Sequence, residues 1–279
     1  MLKIRKMSPE DTGFAIKLTD TRGWGLVEDD FKFAMQLEPE GCFILTEKSE
    51  RIGLVTNVSF GEIGWLGNLI VDESHRRKGA GAKLVKHSIA YFKSRGAETV
   101  GIYAYQDVIE FYKKIGFIQD AEFAVLKGKP KCPPPTAEQA KVRKQNLKEI
   151  AGFDRVYFGA SREKLLKPIL SDPNNFCYMR KEGGRIIGYG SESVYEDTTE
   201  IGPLICLQNR HGVAIDLLKA MLSRLEGFEA SICMPAKESR IIKFLMSCGF
   251  MENFRVARMF YKPPAIKECI YVTESLERG

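Results

Sequence analysis

The stretch 75-HRRKGAGAKL-84 sets three consecutive basic side chains, Arg76, Arg77 and Lys78, before two glycines that bracket an alanine. It follows an aliphatic strand pattern, 68-NLIVD-72, and opens an amphipathic helix. In that helix Leu84, Val85, Ser88, Ile89 and Phe92 fall on one face, and Gly96 supplies the stop. A helix N-terminus directs unpaired N–H groups and the positive end of the dipole at one point. Glycine removes the Cβ that would keep a ligand away from the backbone. The stretch therefore suits a phosphate held by the main chain, with the basic side chains adding charge-assisted contacts. A solvated basic turn is the alternative. Two familiar phosphate motifs are excluded. No G-x-x-x-x-G-K-[ST] string occurs, and Leu84 stands where a dinucleotide fingerprint needs a third small residue.

Working outward, 2-LKIRKM-7 alternates like a strand, and 8-SPEDTGFAIKLTD-20 reads as a helix opened by Ser8 and Pro9. A second helical stretch, 25-GLVEDDFKFAMQL-37, is followed by three strands, 42-CFILTE-47, 51-RIGLVTNVSF-60 and 63-IGWLGNLIVD-72. After the glycine helix come a strand (99-TVGIYAY-105), a short helix (107-DVIEFYKKIG-116) and a closing strand (121-AEFAVLK-127). The predicted class is α+β with a mostly antiparallel mixed sheet.

The second half repeats the first. Gly116-Phe117 returns as Gly249-Phe250 and Leu84 as Leu217, both 133 residues on. Between the halves lies 126-LKGKPKCPPPTAEQAKVRK-144, whose three prolines in a row, Pro133 to Pro135, forbid helix. The expected organisation is one domain over 1–127, a Pro/Lys-rich linker over 128–145 and a second domain over 146–279.

The net charge of +6 is local. Between Lys127 and Glu149 seven basic residues face two acidic ones, so the linker accounts for most of the balance. No basic groove is required, and nucleic acid is disfavoured as a partner. No apolar run approaches the ~20 residues of a membrane span, and the N-terminus has no signal-peptide core. The seven cysteines are odd in number, lack C-x-x-C spacing and lie mostly in apolar runs. Buried free thiols in the cytoplasm are expected, without disulfides, and the scattered histidines predict no metal site.

69-LIVDESHRRKGAGAKLV-85 resembles the acetyl-CoA signature of the GNAT N-acetyltransferases, an aliphatic strand followed by R/Q-x-x-G-x-G/A, here Arg76-x-x-Gly79-x-Gly81. 110-EFYKKIGF-117 resembles the family's second signature, one helix and one strand further on. The chain is similar to tandem members in which a GNAT domain precedes a diverged copy. The resemblance implies acetyl-CoA (CoA) as cofactor. It implies that Leu69, Ile70 and Val71 pair with the pantetheine arm, and that a strand splay beside Val71 offers an N–H to the developing oxyanion. It places Arg76, Arg77, Lys78, Gly79, Ala80, Gly81 and Ala82 around the pyrophosphate. Tyr112 matches the tyrosine that protonates the leaving thiolate, and Tyr105 stands where a pantetheine-binding asparagine is usual.

The family's glutamate base maps onto Trp65, which cannot take a proton, and Glu62 and Asp72 are the nearby carboxylates. Trp24, Glu28, Asp29 and Asp30 fall where the acceptor site usually lies. In the second half the cradle degrades to 209-NRHGVA-214 and Tyr112 becomes Leu245, so that copy is expected to be non-catalytic. Transfer of acetyl to a primary amine by direct attack is the implied activity, on a small-molecule or peptide acceptor. An acyl-CoA-binding sensor without turnover is the alternative. No membrane partner is expected, and a homodimer is left open.

Overall fold

The computed structural model describes residues 1–194, 198–225, 227–264 and 267–279. The first half runs β1 (Leu2–Lys6), α1 (Thr12–Asp20), α2 (Glu28–Leu37), β2 (Phe43–Glu47), β3 (Glu50–Ser59), β4 (Ile63–Val71), α3 (Ala80–Ser94), β5 (Thr99–Tyr105), α4 (Ile109–Lys113) and β6 (Phe117–Gly128). The second repeats this order: β7 (Ala140–Lys141), α5 (Leu147–Phe158), α6 (Glu163–Ser171), β8 (Phe176–Glu182), β9 (Arg185–Val194), β10 (Thr198–Leu207), α7 (His211–Leu222), β11 (Glu229–Pro235), α8 (Ser239–Ser247) and β12 (Phe250–Tyr261). A further strand, β13 (Cys269–Val272), has no counterpart in the first half. The class is α+β as expected. One mostly antiparallel mixed sheet carries eight α-helices among the described residues.

Local chemistry explains the helix ends. At Ser8 a capping box closes the turn before α1, with the Ser8 N–H donating to Asp11 Oδ2 at 2.9 Å. Helix α3 starts at Gly79, held at φ +83°, and buries Leu84, Val85, Ser88, Ile89 and Phe92. Gly96, at φ +85°, lets the chain turn away after it.

The strand order is β1-β2-β3-β4-β5-β12-β6-β11-β10-β9-β8-β7, with β13 on β10. It is a palindrome of the repeat. Each half sends its sixth strand across, so β12 lies against β5 and β6 against β11. The exchanged strands meet antiparallel, Phe117 opposite Tyr261 and Gly128 opposite Phe250. The sheet therefore runs on through the boundary expected at 127/128, and neither half closes its own sheet. Pulled apart, each would expose a long unpaired edge.

Helix α3 packs on one face of the first half through Leu84, Val85, Ile89 and Phe92. Helices α1 and α2 pack on the other through Ala15, Leu18, Phe31 and Ala34. The central cluster joins the halves there, Trp65, Phe123 and Phe260 packing with Phe158 and Leu165 of α5 and α6.

The expectation of unpaired thiols fails for one pair. Cys132 and Cys248 are joined as a disulfide, their Cα atoms 5.0 Å apart. The linker crosses the end of α8, where Lys131 N–H donates to Cys248 O at 2.9 Å. That crossing brings together two cysteines 116 residues apart, which spacing could not foretell. Cys42, Cys177, Cys206 and Cys233 are buried and free. Among the described residues no helix is long and apolar enough to cross a membrane.

Candidate active site

Strands β4 and β5 run parallel only from Ile63–Thr99 to Trp65–Gly101. Beyond Trp65 they part, leaving an edge of β4 that faces β5 without a partner strand among the described residues. Two features cause the split. Trp65 is a buried ring lying over Gly101, where an added Cβ would meet it at 2.3 Å. A β-bulge then follows: between the pairs Leu54–Ile70 and Thr56–Gly67, β4 carries one more residue than β3. Asn68 sits in the bulge at φ +48°, and its buried Oδ1 has no hydrogen-bond partner among the described residues. The sequence signal was the Gly67-Asn68 pair inside an apolar strand, glycine and asparagine being the residues that tolerate such a kink.

The basic glycine stretch lies at the mouth of this split. The N–H groups of Arg77 to Ala82 donate to no backbone carbonyl among the described residues. Arg77 at φ +61° and Gly79 at φ +83° form the turn that presents them. Gly81 admits the Phe111 ring, which an added Cβ would touch at 3.3 Å, and this brings α4 against the cradle. The Arg76 side chain bends back, its Nε donating to Val71 O at 2.9 Å and tying the loop to the end of β4. Lys78 Nζ donates to Ser74 O. Leu69 is half-buried, and Ile70 and Val71 are buried.

Tyr112 follows Phe111 and packs against Phe117 with ring centroids 5.5 Å apart. Burial pushes its hydroxyl well above the usual phenol range, so it stays protonated. Tyr105, at the split end of β5, lies between Trp24 (6.3 Å, nearly parallel rings) and Phe254 from the second half (5.3 Å). Burial raises its hydroxyl to about 12. Trp24 and Tyr105, read separately from the sequence, are thus brought together as one aromatic wall.

The candidate carboxylates are engaged elsewhere or lie away from the split. Asp72 caps a turn by accepting from Ser74 N–H at 3.0 Å. Glu62 is exposed beyond the paired end of β4, away from the split. Glu28 and Asp29 pair with Lys32, and Asp30 accepts from Val27 N–H at the start of α2.

Sequence reasoning missed the segment 273–279. It leaves β13, packs on Gly202 and crosses to β4. Trp65 Nε1 donates to Leu276 O at 3.3 Å, and an added Cβ on Gly67 would meet Glu277 O at 2.6 Å. A fully buried network anchors it. Arg162 Nη1 donates to Gly279 O (2.7 Å) and to the Tyr271 hydroxyl (3.2 Å), while Nε and Nη2 hold Asp154 (3.1 and 2.7 Å).

In the second half the equivalent split opens where β10 and β11 part after Ile201–Ile232. There it is filled. Strand β13 pairs with β10 from Leu204–Val272 to Leu207–Cys269, and Thr273 N–H donates to Cys233 O of β11.

Two family models match the chain, an acetyltransferase (GNAT) family model over residues 14–117 and an acetyltransferase (GNAT) domain model over 150–271. An uncharacterized N-acetyltransferase of Bacillus subtilis (strain 168), YitH, is 23% identical over 266 residues, covering 93% of this chain and 92% of its own. A putative acetyltransferase from Pyrococcus horikoshii superposes with a TM-score of 0.79 at 18% identity, over 100% of this chain and 96% of that one. A tandem GNAT protein from the clavulanic acid biosynthesis pathway gives 0.63 at 12% identity, over 93% and 98%. Acetyl-CoA is the usual donor of such acetyltransferases. The chain belongs to the GNAT family of N-acetyltransferases, as a tandem of two GNAT domains.

Proposed function

We propose that the first half transfers acetyl from acetyl-CoA to a primary amine by direct attack, and that the second half is non-catalytic and shapes the acceptor cleft. The observation that carries this reading is the contrast between the two splits. Between β4 and β5 the split is open and ends at a cradle of free N–H groups. Between β10 and β11 the chain's own β13 occupies it.

The residues fit the donor. The Arg77–Ala82 N–H groups would hold its pyrophosphate, with Arg77 and Lys78 adding charge. The unpaired edge of β4 over Leu69, Ile70 and Val71 would take an extended arm by strand-like hydrogen bonds. When bound, acetyl-CoA supplies an activated thioester. An N–H at the split beside Val71 would face its carbonyl oxygen. Tyr112, kept protonated by burial, would donate a hydrogen bond to the departing sulfur. Trp24 and Tyr105 would flank the acceptor, a small-molecule or peptide amine.

The test separates binding from transfer. Acetyl-CoA binding is measured by calorimetry, and CoA release is followed with spermidine and with hydroxylamine as acceptors. Tyr112→Phe is expected to lower kcat by about 10–100-fold with acetyl-CoA affinity within about twofold of wild type. Tight binding with no transfer to either amine would favour the sensor reading instead.

A further inference from the structure

The proposed reaction needs a proton acceptor, because an alkylammonium with a pKa of about 10.4 carries no free electron pair at neutral pH. The position where the family resemblance places a glutamate holds Trp65, a core ring. Nearby carboxylates are occupied: Asp72 and Asp30 cap turns, Glu28 and Asp29 pair with Lys32, and Glu38 accepts from Ser59 N–H, the Tyr91 hydroxyl and Lys164.

Glu277 is different. Its backbone lies on Gly67, immediately before the bulged part of β4 and on the sheet face that Trp65 shares. Neighbouring Arg278 gives its ion pair to Glu274 at 2.8 Å and its guanidinium face to Phe33 of α2 at 5.2 Å. Among the described residues no ion pair reaches Glu277, and the groups that draw its pKa down are neighbouring Arg278, its own backbone N–H and the Ser275 hydroxyl. The titratable groups facing it are Glu274 and Arg278 of its own segment, Glu200 of β10, Tyr105 of β5 and Cys233 of β11. Burial comes first among the causes that raise its pKa above the ordinary carboxylate value, which favours uptake of a proton. Gly67 is what allows this approach, since any side chain there would displace the segment.

We propose that Glu277, delivered by the second half, is the proton acceptor for the amine entering the cleft of the first half. An N–H bond of the substrate ammonium breaks, and the proton joins a Glu277 carboxylate oxygen, directly or through one water. The electron pair stays on nitrogen and becomes the lone pair that attacks. The proton then leaves to solvent and the carboxylate is restored. The tandem architecture thereby supplies in one chain a group that Trp65 displaced.

This rests on the reading above, and the experiment distinguishes the two. Wild type, Glu277→Gln and Glu277→Asp are compared with spermidine, charged at pH 7, and with hydroxylamine, already largely neutral there. Melting temperature and acetyl-CoA affinity are measured alongside. Glu277→Gln is expected to lose about 100-fold in kcat/KM for spermidine at pH 7 and to recover as pH rises towards the amine's own pKa. With hydroxylamine it should stay within about threefold of wild type, and acetyl-CoA affinity within about twofold. Glu277→Asp should fall between. Equal losses with both amines, or none with spermidine, overturn the assignment while acetyl transfer stands. Wild type that binds acetyl-CoA and acetylates neither amine overturns the reaction itself, and Glu277's role with it.

Discussion

The two splits of this sheet arise from the same fold and end in opposite states. Both begin where a parallel pair of strands parts after a few residues, at Trp65 in one half and Ile201 in the other. In the first half the parted edge faces a loop rich in free N–H groups. In the second the edge is satisfied by β13, whose four residues pair with β10. Unpaired buried backbone is costly, so an edge left open in a folded protein needs a ligand, water or another strand. On the proposed reading, the second site is retired without losing its architecture, by completing the hydrogen bonds a ligand would otherwise make. Losing the leading arginine of the cradle, with Asn209 in its place, is the smaller change.

The largest effect should come from the anchor of the inter-half segment. Asp154 and Arg162 are both fully buried, and Asp154 also accepts from the Tyr189 hydroxyl. Asp154→Ala leaves a buried guanidinium without its counter-charge. Removing one partner of such a pair costs about 3–5 kcal/mol, which chemical denaturation would read directly. If the anchor also holds the segment on Gly67, the soluble variant should lose transfer activity more than acetyl-CoA affinity. Stability within about 1 kcal/mol of wild type would show that the network does not hold the segment.

Next in size is a matched pair of glycine substitutions that compares the two cradles. Gly79 is at φ +83°, where an L side chain is strained. Gly212 occupies the equivalent turn of α7 with ordinary φ and open space at its Cβ position. Gly79→Ala should weaken acetyl-CoA binding by about tenfold or more, since the turn must shift by of order 1–3 kcal/mol of backbone strain. Gly212→Ala should leave binding within about twofold. Calorimetry on both variants suffices. Equal losses would mean that the second cradle binds the donor as well.

Much of this was legible in the sequence, for identifiable reasons. Helix α3 and its cradle could be read because glycines, basic residues and a 3.6-residue apolar period mark them locally. The repeat was legible from equal offsets between matched residues. The exchange of β6 and β12 was not, because both strands look the same in sequence whichever half they pair with. Nor was β13 recognisable as a plug: 269-CIYV-272 is an ordinary apolar run, and its role depends on the split it enters. Glu277 was invisible for a related reason. It lies 210 residues from Gly67, and only the tertiary path after β13 brings them together. Trp24 and Tyr105 were singled out one by one, but their stacking needed the turn before α2 to fold over the end of β5.

The smallest effect sharpens the comparison at one matched position on β3 and β9. Asn57 lies four residues beyond Gly53, and Glu192 four beyond Gly188. The amide of Asn57 donates to Gly41 O at 2.7 Å, a bond that joins β3 to the turn after α2. Glu192 is fully buried, and neither of its oxygens has a partner among the described residues. The groups facing it are Arg224, Cys177 and Tyr178. Burial outweighs the attraction of Arg224 and raises its pKa to about 8. The folded state thus favours the protonated acid. Its contribution to stability is complete below the ordinary carboxylate range, falls as pH rises towards 8, and is gone above it. Glu192→Gln imitates the protonated form at every pH. Its melting temperature should match wild type at pH 5 and exceed it at pH 9, by about 2–4 °C for each kcal/mol recovered. Calorimetric melting of both proteins at the two pH values measures the difference. A gap that is equal at pH 5 and pH 9 would mean that Glu192 does not titrate with folding, and that its place in the second half is a matter of shape alone.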